Sequence, residues 1–167
     1  DINNPEFEND RPTYELLASG KTNGVFQVES AGMKDLLIRL KPKLEQLDFE
    51  VISVILALYR PDSMGALDEY VEMATGGSRP PSIHPDMDEI LKDTNYCMIY
   101  QEQLLDIVKK FGGRTYGQAD LFRKAIGKKL PELVKQESEK LRGEIMTNGY
   151  SKDIANTIAD ELASKGG

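Results

Sequence analysis

The chain has 167 residues and a mass of 18.7 kDa, the size of one domain or of one compact piece with a small appendage. Its 28 acids against 21 Lys and Arg give a net charge of -7 and a pI near 4.9, which disfavours a free-standing nucleic-acid binder, whose domain pI typically exceeds ~9. One cysteine, Cys97, and one histidine, His84, exclude an internal disulfide and a closed zinc site, and the longest apolar run, Val51 to Tyr59 broken by Ser53, falls far short of the ~20 residues of a membrane span.

The start, Asp1-Ile2-Asn3-Asn4-Pro5, has no initiator Met, basic segment or apolar segment of a signal peptide, so the chain is expected to be an excised piece of a longer protein, and Lys165-Gly166-Gly167 suggests the same. Asn9 or Asp10 can cap a first helix through Pro12, Tyr14, Leu16 and Leu17, closed by Gly20. Thr22-Asn23-Gly24 signals a turn, and the alternation in Val25-Phe26-Gln27-Val28 predicts a very short strand. Ser30 caps a helix whose Met33, Leu36, Leu37 and Leu40 share one face. Asp48 caps the next, Phe49 to Tyr59, apolar nearly all round and therefore expected at the centre of the core. Pro61 stops it, and Met64 to Ala74 forms a further helix.

Residues 75 to 85, with two Gly, three Pro and two Ser, predict an exposed loop. His84 within it is expected to be exposed and inert. Asp86 after Pro85 is a natural helix cap, and the Asp86-Met87-Asp88 pair is read structurally, because i and i+2 carboxylates on a helix point apart. Tyr96 to Tyr100 predicts a second short strand, and Cys97 there is expected to be a small core residue. Helices follow at Glu102 to Phe111, Gly117 to Lys128, Pro131 to Thr147 and Lys152 to Ser164, the last capped by Ser151 and striped by Ile154, Ala155, Ile158, Ala159, Leu162 and Ala163. The expected fold class is mainly α, an irregular multi-helix domain with one or two very short strands.

Charge is distributed unevenly. Between Lys109 and Lys135 eight bases (Lys109, Lys110, Arg114, Arg123, Lys124, Lys128, Lys129, Lys135) face only Asp120 and Glu132, a net of +6 that leaves -13 elsewhere. From Leu44 to Glu72 the balance reverses, with seven acids against Arg60 alone. Such a field draws polyanions to one face and repels them from another. On a helix, Tyr116, Asp120, Arg123, Lys124, Gly127 and Lys128 fall within an arc of roughly 140°. Ala119, Phe122 and Ile126 lie on one flank of this ridge, and Leu121 and Ala125 on the other. Arg offers a planar fork for phosphate oxygens, Lys a point charge, and Gly127 room for close backbone approach.

The stretch Ala119-Asp120-Leu121-Phe122-Arg123-Lys124-Ala125-Ile126-Gly127-Lys128-Lys129 resembles the A-D-x-L-R-[RK]-A-M-G-K-K motif in the fingers of the C-family bacterial replicative DNA polymerases. Three further blocks match in order: Gly24-Val25-Phe26-Gln27-Val28-Glu29-Ser30 with Gly32-Met33-Lys34, Ala57-Leu58-Tyr59-Arg60-Pro61, and Tyr100-Gln101-Glu102-Gln103. Asp62-Ser63-Met64 departs from the Gly-Pro-Leu or Gly-Pro-Met usual in the family, and Phe122 and Ile126 replace Leu and Met while staying apolar.

The resemblance implies a partial fingers domain over residues 1–167, with the palm upstream, the rest of the fingers downstream, and nucleotidyl transfer as the reaction of the whole protein. It implies that Arg123 and Lys124 meet the β- and γ-phosphates of a deoxynucleoside triphosphate. Lys128 and Lys129 would touch phosphate or template backbone, and Tyr116 would lie beside the nucleotide. Gln27, Glu29, Ser30, Arg60, Gln101 and Gln103 are candidate active-site or DNA supports. Ser30 can also be simply a cap, Gln101 and Gln103 packing support, and Arg60 either a DNA contact or a partner of Asp62.

Mg2+ is implied for the full-length enzyme, on carboxylates outside this chain, so the chain is expected to hold no metal, to carry no catalytic residue and to be inactive alone. The implied partners are primer–template DNA and nucleotide, with other replicase subunits bound elsewhere, in the cytoplasm and without a membrane. The piece itself is expected to be monomeric. The alternative is a non-catalytic helical module that binds DNA or an acidic protein through the same basic face.

Overall fold

The computed structural model describes residues 9–79 and 81–164, apart from the side chain of Asp62; the expectations for the two chain ends and for an Arg60–Asp62 pair fall outside what is described. Among the described residues are ten α-helices and no strand: α1 Arg11–Ala18, α2 Ala31–Arg39, α3 Lys41–Leu44, α4 Phe49–Leu58, α5 Met64–Ala74, α6 Pro85–Leu91, α7 Gln101–Gly112, α8 Tyr116–Gly127, α9 Pro131–Thr147 and α10 Lys152–Ser164. Single 3-10 turns occupy Pro61–Ser63 and Lys92–Thr94. The chain divides into two compact units, Asp1–Pro80 with Asp93–Ile99, and Pro81–Lys92 with Tyr100–Gly167.

In the first unit α1, α2 and α3 pack on one another, α3 on α4, and α4 on α5. Caps set the helix starts: the Met33 amide donates to Ser30 Oγ (3.3 Å) and the Val51 amide to Asp48 Oδ1 (3.4 Å). Asp10 occupies the cap position of α1 without a side-chain bond to the helix backbone and instead accepts from the Thr13 hydroxyl. Met33, Leu36, Leu37 and Leu40 are buried as the periodicity requires, and Cys97 is buried.

Three expectations here need correction. The apolar helix α4 buries Val51, Val54, Ile55 and Leu58, whereas Ile52 and Leu56 are half-buried and Phe49 is 52% exposed. Only the stripe at helical spacing reaches the core. Val25 to Val28 is not a strand but a run of turns, with Gly24 and Gln27 in the left-handed region (φ 78° and 65°) and the Val28 amide bonded to the Val25 carbonyl. Tyr96 to Tyr100 is likewise no strand, because Asn95 and Tyr96 both have positive φ (50° and 64°). Positive φ interrupts the extended backbone that a strand needs.

Two family-like blocks meet in this unit. A Cβ placed on Gly32 would lie 2.2 Å from the Tyr59 hydroxyl oxygen, so the ring of one block occupies space that glycine leaves in the other.

The second unit is built on α7, α8, α9 and α10, with α6 against α7. Phe111, Phe122, Leu141, Ile145, Ile158 and Leu162 are fully buried, which joins the stripes of four helices in one core. Gly113, at φ 65°, ends α7, and Ser151 caps α10 by accepting from the Ile154 amide (3.3 Å). α6 begins at Pro85, so the loop closes one residue earlier than expected, and its cap is His84 rather than Asp86. The Asp86 amide donates to His84 Nδ1 at 3.1 Å. Far from exposed, the His84 ring is half-buried, edge-on to Phe111 and Tyr150 at 5.5 and 5.2 Å between centroids. Its aromatic body gives it a packing role that a Pro-rich context did not signal.

Candidate phosphate-contacting helix

α8 carries the basic ridge, and its rotation is fixed before any cation is considered. Thr115 and Gln118 form a reciprocal cap: the Gln118 amide donates to Thr115 Oγ1 (3.4 Å) and the Thr115 amide to Gln118 Oε1 (2.9 Å). Ala119, Phe122 and Ala125 are completely buried and Ile126 is half-buried, whereas Leu121, expected on an anchoring flank, is 47% exposed. Of the second flank, Ala125 reaches the core and Leu121 does not, because residues spaced by three and four share a face and Leu121 lies outside it.

The helix ends in a left-handed turn. The Lys129 amide donates to the Ile126 carbonyl (2.9 Å) and the Leu130 amide to the Ala125 carbonyl (3.0 Å), with Lys129 at φ 50° in the place glycine usually takes. Lys128 and Lys129 are both exposed and form no ion pair among the described residues.

Arg123 and Lys124 are not bare charges. Asp120 lies one turn earlier and receives Arg123 Nε on Oδ1 and Lys124 Nζ on Oδ2, each at 2.7 Å. The hydrogen bonds from Lys124 and then Arg123 hold the Asp120 carboxyl below the usual aspartate range. From α7, Gln101 Oε1 accepts from Arg123 Nη1 at 2.9 Å, which joins the third family-like block to the fourth. Gln103, 8% exposed, turns its amide oxygen back to the Tyr100 amide (2.9 Å) and so begins α7. Tyr116 is 62% exposed, with Lys109 Nζ 5.7 Å from its ring centroid. It lies in the first turn of α8 and Lys128 after the last, ~18 Å apart along a 12-residue helix, so no single phosphate can reach both.

The +6 segment is less cationic in space than in sequence. Arg114 is buried: Nη1 donates to Glu137 Oε2 (2.5 Å), Nε to Glu144 Oε2 (2.6 Å) and Nη2 to the Glu137 carbonyl (3.2 Å). Lys109 pairs with Asp106 (3.6 Å) and Lys110 with Asp86 (3.3 Å). All four acids lie outside the 109–135 window. A sequence signal for the Arg114 site did exist, since Glu137 and Glu144 fall on the same helical face as Val134, Leu141 and Ile145.

The other candidate supports belong to the first unit. Ser30 caps α2, and Glu29 Oε2 accepts from the Gly24 amide at 3.0 Å, tying down the Gly24–Glu29 turn. The buried Thr22 hydroxyl donates to the Val28 carbonyl and closes the same turn. Gln27 is exposed beside Phe26, whose ring is 84% exposed. Arg60 is exposed at the start of the Pro61–Ser63 turn.

Asp86 and Asp88 do not converge: Asp86 accepts from Tyr150 Oη (3.4 Å) and lies beside Lys110, while Asp88 accepts from Ser82 Oγ (2.6 Å). No group of three or more His, Cys, Asp or Glu side chains is placed to hold a metal ion among the described residues, and no described helix is long and apolar enough to cross a membrane.

A family model described as the bacterial DNA polymerase III alpha subunit finger domain matches residues 2–149. The chain is 39% identical over 150 residues to DNA polymerase III subunit alpha of Halalkalibacterium halodurans, covering 90% of the chain and 13% of that relative. It is 36% identical over 160 residues to the proteins of the same name from Staphylococcus aureus strains Mu50 and COL, covering 96% of the chain and 15% of each relative. The chain therefore spans about one seventh of the length of these relatives.

Proposed function

Because the chain belongs to the bacterial DNA polymerase III alpha subunit finger-domain family, we propose that it is the nucleotide-handling part of a replicative DNA-directed DNA polymerase. The observation that carries this reading is the arrangement on α8, where Arg123 and Lys124 are aligned by Asp120 and Gln101, and Lys128 and Lys129 project from the helix end. Arg123 and Lys124 bind the β- and γ-phosphates of the incoming deoxynucleoside triphosphate. Lys128 and Lys129 contact phosphate or the template backbone, and Tyr116 lies beside the nucleotide.

In the reaction, the primer 3′-hydroxyl attacks the α-phosphorus, the bond to the bridging oxygen breaks, and pyrophosphate leaves with the electron pair. Fixed cations at the leaving group stabilise charge as it accumulates there, the kind of effect on which phosphoryl transfer mainly depends. Such enzymes use divalent metals held by carboxylates, Mg2+ being the ion proposed. Asp86 and Asp88 point to different partners, and in this reading the metal ligands belong to other parts of the polymerase. Primer–template DNA is the second substrate, other replicase subunits bind other parts of the protein, and the enzyme works in the cytoplasm.

The test is Arg123→Ala in the full-length polymerase. Loss of a charge-assisted phosphate contact should raise KM for nucleotide or lower kcat by about tenfold or more, while primer–template affinity changes less than about twofold. Unchanged nucleotide kinetics, or an equal loss in DNA affinity, would remove Arg123 from the nucleotide site.

A further inference from the structure

The arrangement around Arg123 assigns a role to a residue of the wrong sign for phosphate binding. We infer that Asp120, assisted by Gln101, is a positioning residue that holds the Arg123 fork and the Lys124 ammonium in the orientation that receives the triphosphate. This inference rests on the nucleotide-binding reading given above.

An aspartate between two cations can do one of two opposite things. It can compete with the nucleotide by neutralising charge, or it can prepare the cations by fixing their side chains. The geometry favours the second. Each carboxylate oxygen takes one cation only, Arg123 Nε on Oδ1 and Lys124 Nζ on Oδ2. Nη1 of Arg123 has a separate fastener, the neutral amide oxygen of Gln101 on α7. A competitor would have no use for that second, uncharged grip from another helix, whereas a rotamer lock would.

The lock leaves donors unused. A guanidinium has five N–H groups and an ammonium three. Asp120 and Gln101 take two from Arg123, and Asp120 takes one from Lys124. Both terminal nitrogens of Arg123 keep protons for a phosphate, as a bidentate contact requires. Arg and Lys lose much rotamer freedom when a ligand immobilises them, so prior immobilisation strengthens binding with no added contact. The anchor is itself fixed, because Ala119 and Phe122 beside Asp120 in sequence are fully buried.

The experiment measures single-nucleotide incorporation by the full-length polymerase at saturating primer–template, giving an apparent nucleotide Kd and a maximum rate. The variants are Asp120→Ala, Asp120→Asn, Gln101→Ala, Arg123→Ala and the Asp120→Ala/Arg123→Ala double variant. Removing the carboxylate should weaken nucleotide binding about five- to tenfold, and Asn should recover part of this because its carbonyl still accepts from Arg123 Nε, while its amide nitrogen cannot accept from Lys124. Gln101→Ala should weaken it about two- to threefold, and the double variant should fall well short of the product of the two single effects, because residues acting through one another are non-additive and only the hold of Asp120 on Lys124 remains to be lost. Primer–template affinity should be unchanged throughout.

Tighter nucleotide binding by Asp120→Ala would make the aspartate a competitor and overturn the inference. So would multiplicative effects in the double variant, an Asn variant as impaired as Ala, or no effect of Asp120→Ala where Arg123→Ala is impaired. If Arg123→Ala itself leaves nucleotide binding intact, the underlying site reading falls, and this inference with it.

Discussion

Arg114 and Arg123 are nine residues apart and chemically opposite. The Arg114 side chain is 2% exposed and donates to two carboxylates and a carbonyl, so that each of its three nitrogens has a partner and the α7–α8 turn is tied to α9. Removing one partner of a buried pair leaves an uncompensated charge, so Arg114→Met should destabilise the protein by about 3–5 kcal/mol in urea unfolding. Arg114→Lys should not restore it, because a point charge cannot reach Glu137 and Glu144 as a planar fork does. A loss below about 1 kcal/mol would show that the triad contributes little. Arg123 has spare donors and partial exposure, as a ligand-facing arginine needs.

At the scale of the element, α8 can be tested without touching a charge. Gly127, in its last turn, is exposed, and a Cβ there would meet nothing within 4 Å. Glycine in a helix is less favourable than alanine by about 0.5–1 kcal/mol, so Gly127→Ala should hold or raise thermal stability. If phosphate approaches this turn closely, the same methyl should lower nucleotide incorporation. A drop in activity at undiminished Tm would therefore report a ligand contact, and unchanged activity would mean that no phosphate comes close.

The helices of the second unit were legible in outline because apolar spacing of three and four is strong in α7 to α10. The two expected strands were not, because four or five alternating residues do not reveal a positive φ at Gln27, Asn95 or Tyr96. The ridge on α8 was legible as a pattern. The pairing of its cations with Asp120 and Gln101 was not, since it depends on side-chain directions and on α7 lying alongside.

For the whole molecule, net charge misled in one direction and burial corrected it: acids outside the basic segment neutralise Arg114, Lys109 and Lys110, and the cations it leaves to the surface are those of α8 and its end, with Lys135 on α9. Burial also shapes the pH dependence of stability. Tyr70 is fully buried, the Asn95 side chain approaches its hydroxyl without completing a hydrogen bond, and burial, reinforced by Asp48, pushes the phenol well above its ordinary value. Below pH ~10 both folded and unfolded chains keep that proton; above it the unfolded chain releases its proton first, so stability falls as pH rises. Tyr70→Phe should flatten this alkaline limb in unfolding curves from pH 8 to 11 (roughly the range bracketing a free phenol), and an unchanged slope would assign the loss to other groups.

The fit of Gly32 beneath the Tyr59 hydroxyl has a consequence for inheritance. A methyl gained at position 32 requires the Tyr59 ring to swing aside or lose its hydroxyl, whereas a smaller residue at 59 leaves Gly32 undisturbed, so change is open in one order and obstructed in the other. Twenty-seven positions apart in sequence, the two residues lie within one atom's width of each other in space.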